Sequence, residues 1–149
     1  MVFIAHRGNV NGPNPEAENY PPHILAVLRE GWNVEIDLWI NGSRLLLGHD
    51  CPQHDVDSNI LLLDNVWIHA KNIEALDYCI ERDLNCFYHN NDDCVLTSRH
   101  QIWTYPGKRP ITARSIIVMP EKADYVLDDF NICAGICSDY PQFYQDLTK

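Results

Sequence analysis

The sequence predicts a mixed α/β fold in one domain, 1–149, built from short buried strands that run into polar or charged residues. Apolar, β-prone runs alternate with helical stretches. Nearly every strand-like run ends in chemically active side chains: His6-Arg7, Glu35 with Asp37, His69 with Lys71, His89, Pro120-Glu121 and Ser138-Asp139. In a parallel α/β barrel the active site is assembled where strands end, at their C-terminal face. Length sets the second constraint. A chain of 149 residues buries one core without staples, whereas a full eightfold barrel uses about 250 residues. Seven or eight strand-like pieces and three or four helices therefore predict a reduced barrel, with loops or hairpins in place of several helices. Its open flank could be covered by a second subunit, making a homo-oligomer.

Taken in order, Met1–Ala5 is a short buried strand ending at His6-Arg7-Gly8. The stretch to Pro22 is rich in Asn, Pro and Gly and reads as a long loop, and such loops in compact domains are more often functional than idle. Pro21-Pro22 opens a helix with Ile24, Val27 and Leu28 on one face, closed by Gly31. In Val34–Ile40, apolar residues alternate with Glu35, Asp37 and Trp39, the period of a strand. Two carboxylates at i and i+2 share one strand face about 7 Å apart. Asn41-Gly42 reverses the chain, and Arg44–Leu47 runs back to deliver His49. Two acids with a histidine alongside can hold a divalent cation and supply an acid or base; the alternative is the solvated face of a half-buried hairpin.

Cys51–Asn59 is a polar loop, and Val66–Lys71 is a strand with Trp67, His69 and Lys71 on one face. Asn72 is a good N-cap for a helix whose Ile73, Leu76, Cys79 and Ile80 face the core. Cys86–His89, Val95–Thr97, Ile102–Tyr105, Ser115–Met119 and Gly135–Ser138 are further extended pieces. Ala123–Asp129 reads as a helical turn and Gln142–Leu147 as a terminal helix. Trp103 and Tyr105 precede a Pro106-Gly107 turn, where they could line a substrate pocket or fill the core. His23, His54 and His100 lie in polar or helical surface contexts.

Composition excludes some classes. There are 21 acids against 11 Lys and Arg, a net charge of −10, which argues against nucleic acid or an anionic membrane surface as partner. No run approaches the length of a membrane span. With no leader-like segment, the expectation is a cytoplasmic protein with no stable membrane association, whose six cysteines are reduced. Cys133 and Cys137 lack a second pair at zinc-ribbon spacing and read as core residues. Asn41-Gly42-Ser43 fits a glycosylation sequon that a cytosolic chain never uses.

His6-Arg7-Gly8, then Pro15-Glu16-Ala17-Glu18-Asn19, then Glu35-Ile36-Asp37, then His49-Asp50 resembles the glycerophosphodiester phosphodiesterase family, in order and at family-like spacing. Gly135–Pro141 resembles that family's closing strand. The resemblance implies a TIM-barrel fold of the phospholipase-C-like phosphodiesterase type and metal-dependent cleavage of a small-molecule phosphodiester. It implies His6 and His49 as acid/base pair, Arg7 and Lys71 at the phosphate, and Glu35 and Asp37 on Mg²⁺ or Ca²⁺, with Glu18 and Asn19 supporting. Where the family carries a third metal carboxylate, this chain has His69. Either the imidazole is a ligand, shifting preference toward Mn²⁺ or Zn²⁺, or the site is weaker and wetter. A binding protein for a phosphate-bearing molecule on the same scaffold is the alternative function.

Overall fold

The computed structural model describes residues 1–149. Its elements are, in order, β1 (Val2–His6), α1 (Pro21–Arg29), β2 (Asn33–Asn41), β3 (Arg44–Leu47), β4 (His54–Asp55), α2 (Ser58–Leu61), β5 (Val66–Ala70) and α3 (Ile73–Glu81). There follow β6 (Cys86–Tyr88), β7 (Cys94–Leu96), β8 (Ile102–Thr104), β9 (Ser115–Val118), a 3₁₀ turn (Pro120–Lys122), α4 (Leu127–Ile132), β10 (Gly135–Ser138) and α5 (Pro141–Leu147). The strands number ten rather than the seven or eight expected. The strand not read from the sequence is β4, a two-residue piece within the expected polar loop Cys51–Asn59 and too short to carry an alternation signal. No helix is long and apolar enough to cross a membrane.

All ten strands form one curled sheet with few helices, an arrangement compatible with a reduced barrel. Seven run parallel in the order β6-β5-β2-β1-β10-β9-β8. Antiparallel β7 adds to β8, and β3 pairs with Leu38–Asn41 of β2 beyond the Asn33–Glu35 stretch that pairs with β1. Ser98 draws the two ends of the parallel run together: its N–H donates to Cys86 O at 2.8 Å and its Oγ accepts from Cys86 N–H at 2.9 Å. No helix bridges β6 to β8 or β8 to β9. These are the crossovers that the short chain replaces with a hairpin and a loop.

The period of two along each strand sorts side chains between the two faces of the curl. Outward residues Val34, Ile36 and Leu38 of β2 and Val66, Ile68 and Ala70 of β5 join Ile24, Val27 and Leu28 of α1 in the main core. Inward residues Ile4, Trp67, Phe87, Trp103 and Ile116 form a second cluster that fills the interior. Two residues beyond Ile4, Trp67, Phe87 and Trp103, at or just past the strand ends, come His6, His69, His89 and Tyr105. These share a cleft with Glu35 and Asp37 of β2, and Asp139 after β10 bonds His6. Cys79, Cys86, Cys133 and Cys137 are buried thiols, and no cysteine is paired.

Two helices depart from expectation. In α3 the buried residues are Ala75 and Cys79, whereas Ile73 and Ile80 are 76% and 58% exposed. Asn72 sets this rotation. Its Oδ1 accepts from Ala75 N–H at 3.1 Å as an N-cap, while its Nδ2 donates to Ile40 O of β2 at 2.8 Å, so the small residues approach the sheet. The helical turn expected at Ala123–Asp129 begins instead at Leu127. There the Asp129 carboxylate accepts Val126 N–H at 3.0 Å and is clamped by Arg109 at 2.6 and 2.8 Å. Asn72→Ala removes both a cap and a bridge to β2 and is expected to cost about 1–3 kcal/mol, read as a lower midpoint in urea unfolding.

Candidate active site

Glu35 and Asp37 are not on a solvated face: they are 3% and 1% exposed. Strand register brings their partners beside them. His6 lies opposite Glu35 across β1–β2, and His69 lies opposite Asp37 across β2–β5. The charge on Asp37 is compensated from several elements. Asn19 donates to Oδ2 at 2.8 Å and accepts Asp37 N–H at 2.9 Å. Arg7 Nε lies 3.3 Å from Oδ2, and Lys71 Nζ and His69 Nδ1 lie 3.4 and 3.1 Å from Oδ1. Burial alone would push the Asp37 pKa up; the contact with His69 and the charges of His69, Lys71 and Arg7 hold it below the ordinary carboxylate range. Glu35 goes the other way, raised by burial and by the Asp37 charge.

Donor atoms of Glu35, Asp37 and His69 lie within 4.8 Å of one another. Asp37 Oδ1 is buried with no aligned hydrogen bond, although Lys71 and His69 lie beside it. His69 Nδ1 is 3.1 Å from that oxygen and 3.9 Å from Glu35 Oε1, and neighbouring donors around a cation with bonds of about 2.1 Å lie about 3 Å apart. The His69 ring is stacked on Phe87 with centroids 5.0 Å apart and planes at 14°. These residues fit a divalent cation.

The turn after β1 places the other groups. Arg7 and Gly8 have φ of 53° and 89°, which points Arg7 N–H at Glu35 Oε2 (3.2 Å) and its guanidinium at Glu18 Oε2 (3.1 Å). An added Cβ on Gly8 would meet Ile24 Cδ1 at 2.8 Å. Of the five non-glycine residues with positive φ, Arg7, Asn19 and Met119 all sit in or directly behind the site, where backbone strain tends to concentrate. His23, expected at the surface, holds the same turn by its Nε2 contact with Gly8 O at 3.0 Å.

His6 Nδ1 is 2.8 Å from Asp139 Oδ1. Burial opposes its charged form, but the Asp139 hydrogen bond and the Glu35 charge prevail and its pKa is raised. His49 stands on the loop after β3, with Nδ1 2.7 Å from Asp50 Oδ1. The loop is seated by Gly48, whose N–H donates to Asp37 O at 3.1 Å and whose carbonyl accepts from Trp39 Nε1 at 2.6 Å. Partial burial, helped by the positive charges of Arg7 and Lys71, lowers the His49 pKa.

His6, Arg7, Glu35, Asp37, His49, His69, His89, Trp103 and Tyr105 all line one cleft of about 240 Å³, with Met119 and Lys122. Lys71 reaches it only through Asp37. Trp103 is 2% exposed and stacks on Phe87 at 4.4 Å, so it is the cleft floor and part of the core. His89 stacks on Tyr105 at 3.7 Å as a wall.

Sequence reasoning missed Asn9, Asp139 and Glu121. Asn9 is a buried amide bonded to both Glu18 and Asp139. The Glu121 carboxylate accepts Ser138 Oγ–H and Asp139 N–H (3.0 Å) and so seats Asp139. The Pro120-Glu121 and Ser138-Asp139 strand ends were signals for two of them; only long-range packing reveals Asn9.

Compared with models of known families, with curated proteins and with solved structures, the chain matches none.

The His6–Asp139 pair makes stability depend on pH. His6, raised above its ordinary 6.5, contributes fully below that value and loses its contribution as pH rises through the folded pKa. Asp139, lowered from 3.8, contributes above that value and loses it as pH falls through the folded pKa. Chemical unfolding of metal-free wild type and Asp139→Asn is expected to show its largest stability gap between pH 3.8 and 6.5, narrowing at alkaline pH.

Proposed function

We propose that this protein is a metal-dependent phosphodiester hydrolase resembling the glycerophosphodiester phosphodiesterases, on a reduced TIM-barrel scaffold. One observation carries the reading. Two histidines, each with Nδ1 held by a carboxylate, share a small cleft with a buried Glu-Asp-His cluster and with Arg7. A protein that only bound phosphate would need charge but not a pair of proton-exchanging groups.

With Nδ1 engaged, each imidazole has Nε2 left to exchange a proton. Their environments push the two pKa values apart, and such a divergence divides acid from base. His6, stabilised as the imidazolium, is assigned as the acid that protonates the leaving oxygen. His49, favoured neutral, is assigned as the base that takes a proton from the attacking water or from a substrate hydroxyl. Arg7 contributes fixed positive charge toward the phosphate, oriented by Glu18 and Asp37. Phe87 and Trp103 close the bottom of the cleft to water.

Glu35, Asp37 and His69 would hold the divalent cation, which when bound neutralises a non-bridging phosphate oxygen and lowers the pKa of a bound nucleophile. The family resemblance points to Mg²⁺ or Ca²⁺. The position of His69, largely buried and stacked on Phe87 beside both carboxylates, supports the imidazole as a third ligand and so Mn²⁺ or Zn²⁺.

The first test is ³¹P NMR of small phosphodiesters with each of the four ions. A metal-dependent monoester or cyclic-phosphate signal, absent with Asp37→Asn, is the expected result. Unchanged spectra with a metal-raised melting temperature would instead favour a binding protein for a phosphate-bearing molecule. Apo protein is expected to gain several degrees of melting temperature with Mn²⁺ or Zn²⁺. His69→Asp should transfer that response to Mg²⁺ or Ca²⁺. Binding of the ion should tighten as pH rises, because the raised pKa of Glu35 makes a proton compete for the site; calorimetry in buffers of different ionisation enthalpy measures the proton released. In pH–rate profiles, removing His6 should abolish the alkaline limb and removing His49 the acidic limb.

A further inference from the structure

Two of the functional arms meet at a residue that is itself part of neither the cleft lining nor the cation cluster. Asn9 is 2% exposed. The left-handed turn through Arg7 and Gly8 brings it back beneath β1, where its N–H donates to His6 O at 2.9 Å. Its side chain has two donors and an acceptor, and all are used. Nδ2 donates to Asp139 Oδ1 at 2.8 Å and to Glu18 Oε1 at 2.9 Å, while Oδ1 accepts Asn14 N–H at 3.0 Å. The orientation is unambiguous: a backbone N–H can only donate, so the amide oxygen must face Asn14 and the NH₂ must face the two carboxylates. Each carboxylate then holds one functional cation. Asp139 holds His6 at 2.8 Å and Glu18 holds Arg7 at 3.1 Å.

We propose that Asn9 is a positioning residue that aligns the His6 imidazole and the Arg7 guanidinium together, through one neutral amide bridging Asp139 and Glu18. The role rests on the phosphodiesterase reading for what the two arms do, but not for how they are held. Few side chains can fill it. An aspartate has no donor for either carboxylate. A lysine would bridge them but would put a cation beside Asp139 and draw that carboxylate away from His6. A serine has one proton and can serve only one arm. The amide joins both acids without changing the charge that each presents to its partner.

The test is Asn9→Asp, which keeps the Asn14 acceptor and loses both donors, alongside Asn9→Leu, which removes the polar group. Three readouts separate positioning from mere packing. In the wild type the His6 Nδ1–H facing Asp139 is expected to give a downfield proton resonance, lost to solvent exchange in both variants. Affinity for inorganic phosphate, measured calorimetrically, is expected to weaken about threefold or more as Arg7 is released. With any phosphodiester that the wild type cleaves, kcat is expected to fall roughly tenfold and KM to rise. Asp139→Asn should reproduce only the kcat loss, and Glu18→Gln only the loss of phosphate affinity. If both Asn9 variants lower the melting temperature yet keep the His6 resonance and the phosphate affinity, the amide is a packing element and the proposal is wrong. A change in one arm alone would equally overturn the bridge. A wild type that cleaves no phosphodiester but passes the resonance and phosphate tests would count against the hydrolase reading and leave the bridge standing.

Discussion

Everything around the cleft follows from placing an ionised carboxylate, Asp37, where water cannot reach it. A bare charge at 1% exposure would be costly by several kcal/mol, so the surroundings are organised to compensate it. Arg7 comes from the end of β1, Asn19 from the loop before α1, and His69 and Lys71 from β5 and the residue after it. Arg7 and Asn19 are themselves joined, Asn19 N–H donating to Arg7 O at 3.1 Å, and together these contacts tie β1, β5 and the loop before α1 to β2. Asp37's carbonyl also seats Gly48, and so the loop that carries His49. The carboxylate is thus a structural hub as well as a candidate ligand.

A second set of interactions does for His6 what the first does for Asp37. Glu121 seats Asp139 through its backbone N–H, Asn9 holds its carboxylate, and His6 is held in turn. The two sets meet at Arg7, which is paired with Glu18 of one and with Asp37 of the other. Such a cleft contains at least as much negative as positive charge before any ligand arrives. On the proposed reading an anionic substrate needs added positive charge, and a cation held by Glu35, Asp37 and His69 would supply it. The acidic balance of the whole chain is compatible with this, because a local field near a low-dielectric wall outweighs distant surface charge.

Much of this arrangement was legible in one dimension. The alternation in Val34–Ile40 correctly put Glu35 and Asp37 on one face, the Asn41-Gly42 reversal gave the hairpin, and Asn72 marked the start of α3. Candidate residues from five separate segments lie around one cleft. What local patterning could not settle was which way a face turns. The apolar residues of α3 predicted a face through Ile73, Leu76, Cys79 and Ile80; Cys79 is buried as expected, but the bridge from Asn72 to β2 turns Ala75 inward and leaves Ile73 and Ile80 exposed. Alternation likewise says that Glu35 and Asp37 share a face but is silent on whether that face is wet or buried.

The sequence by itself determined the period-two sorting of side chains, the turns, and the rule that strands here end in acids, histidines and cations. These depend on steric and rotameric preferences within a few residues. The tertiary structure decided partnership. Asp139 meets His6 across a separation of 133 residues, and Asn9 meets Asp139 across 130. Such pairings arise only when the sheet curls and β10 docks beside β1, because a hydrogen bond needs an approach of about 3 Å that no local pattern encodes. Burial is decided at the same moment, and with it the opposing pKa directions of His6 and His49.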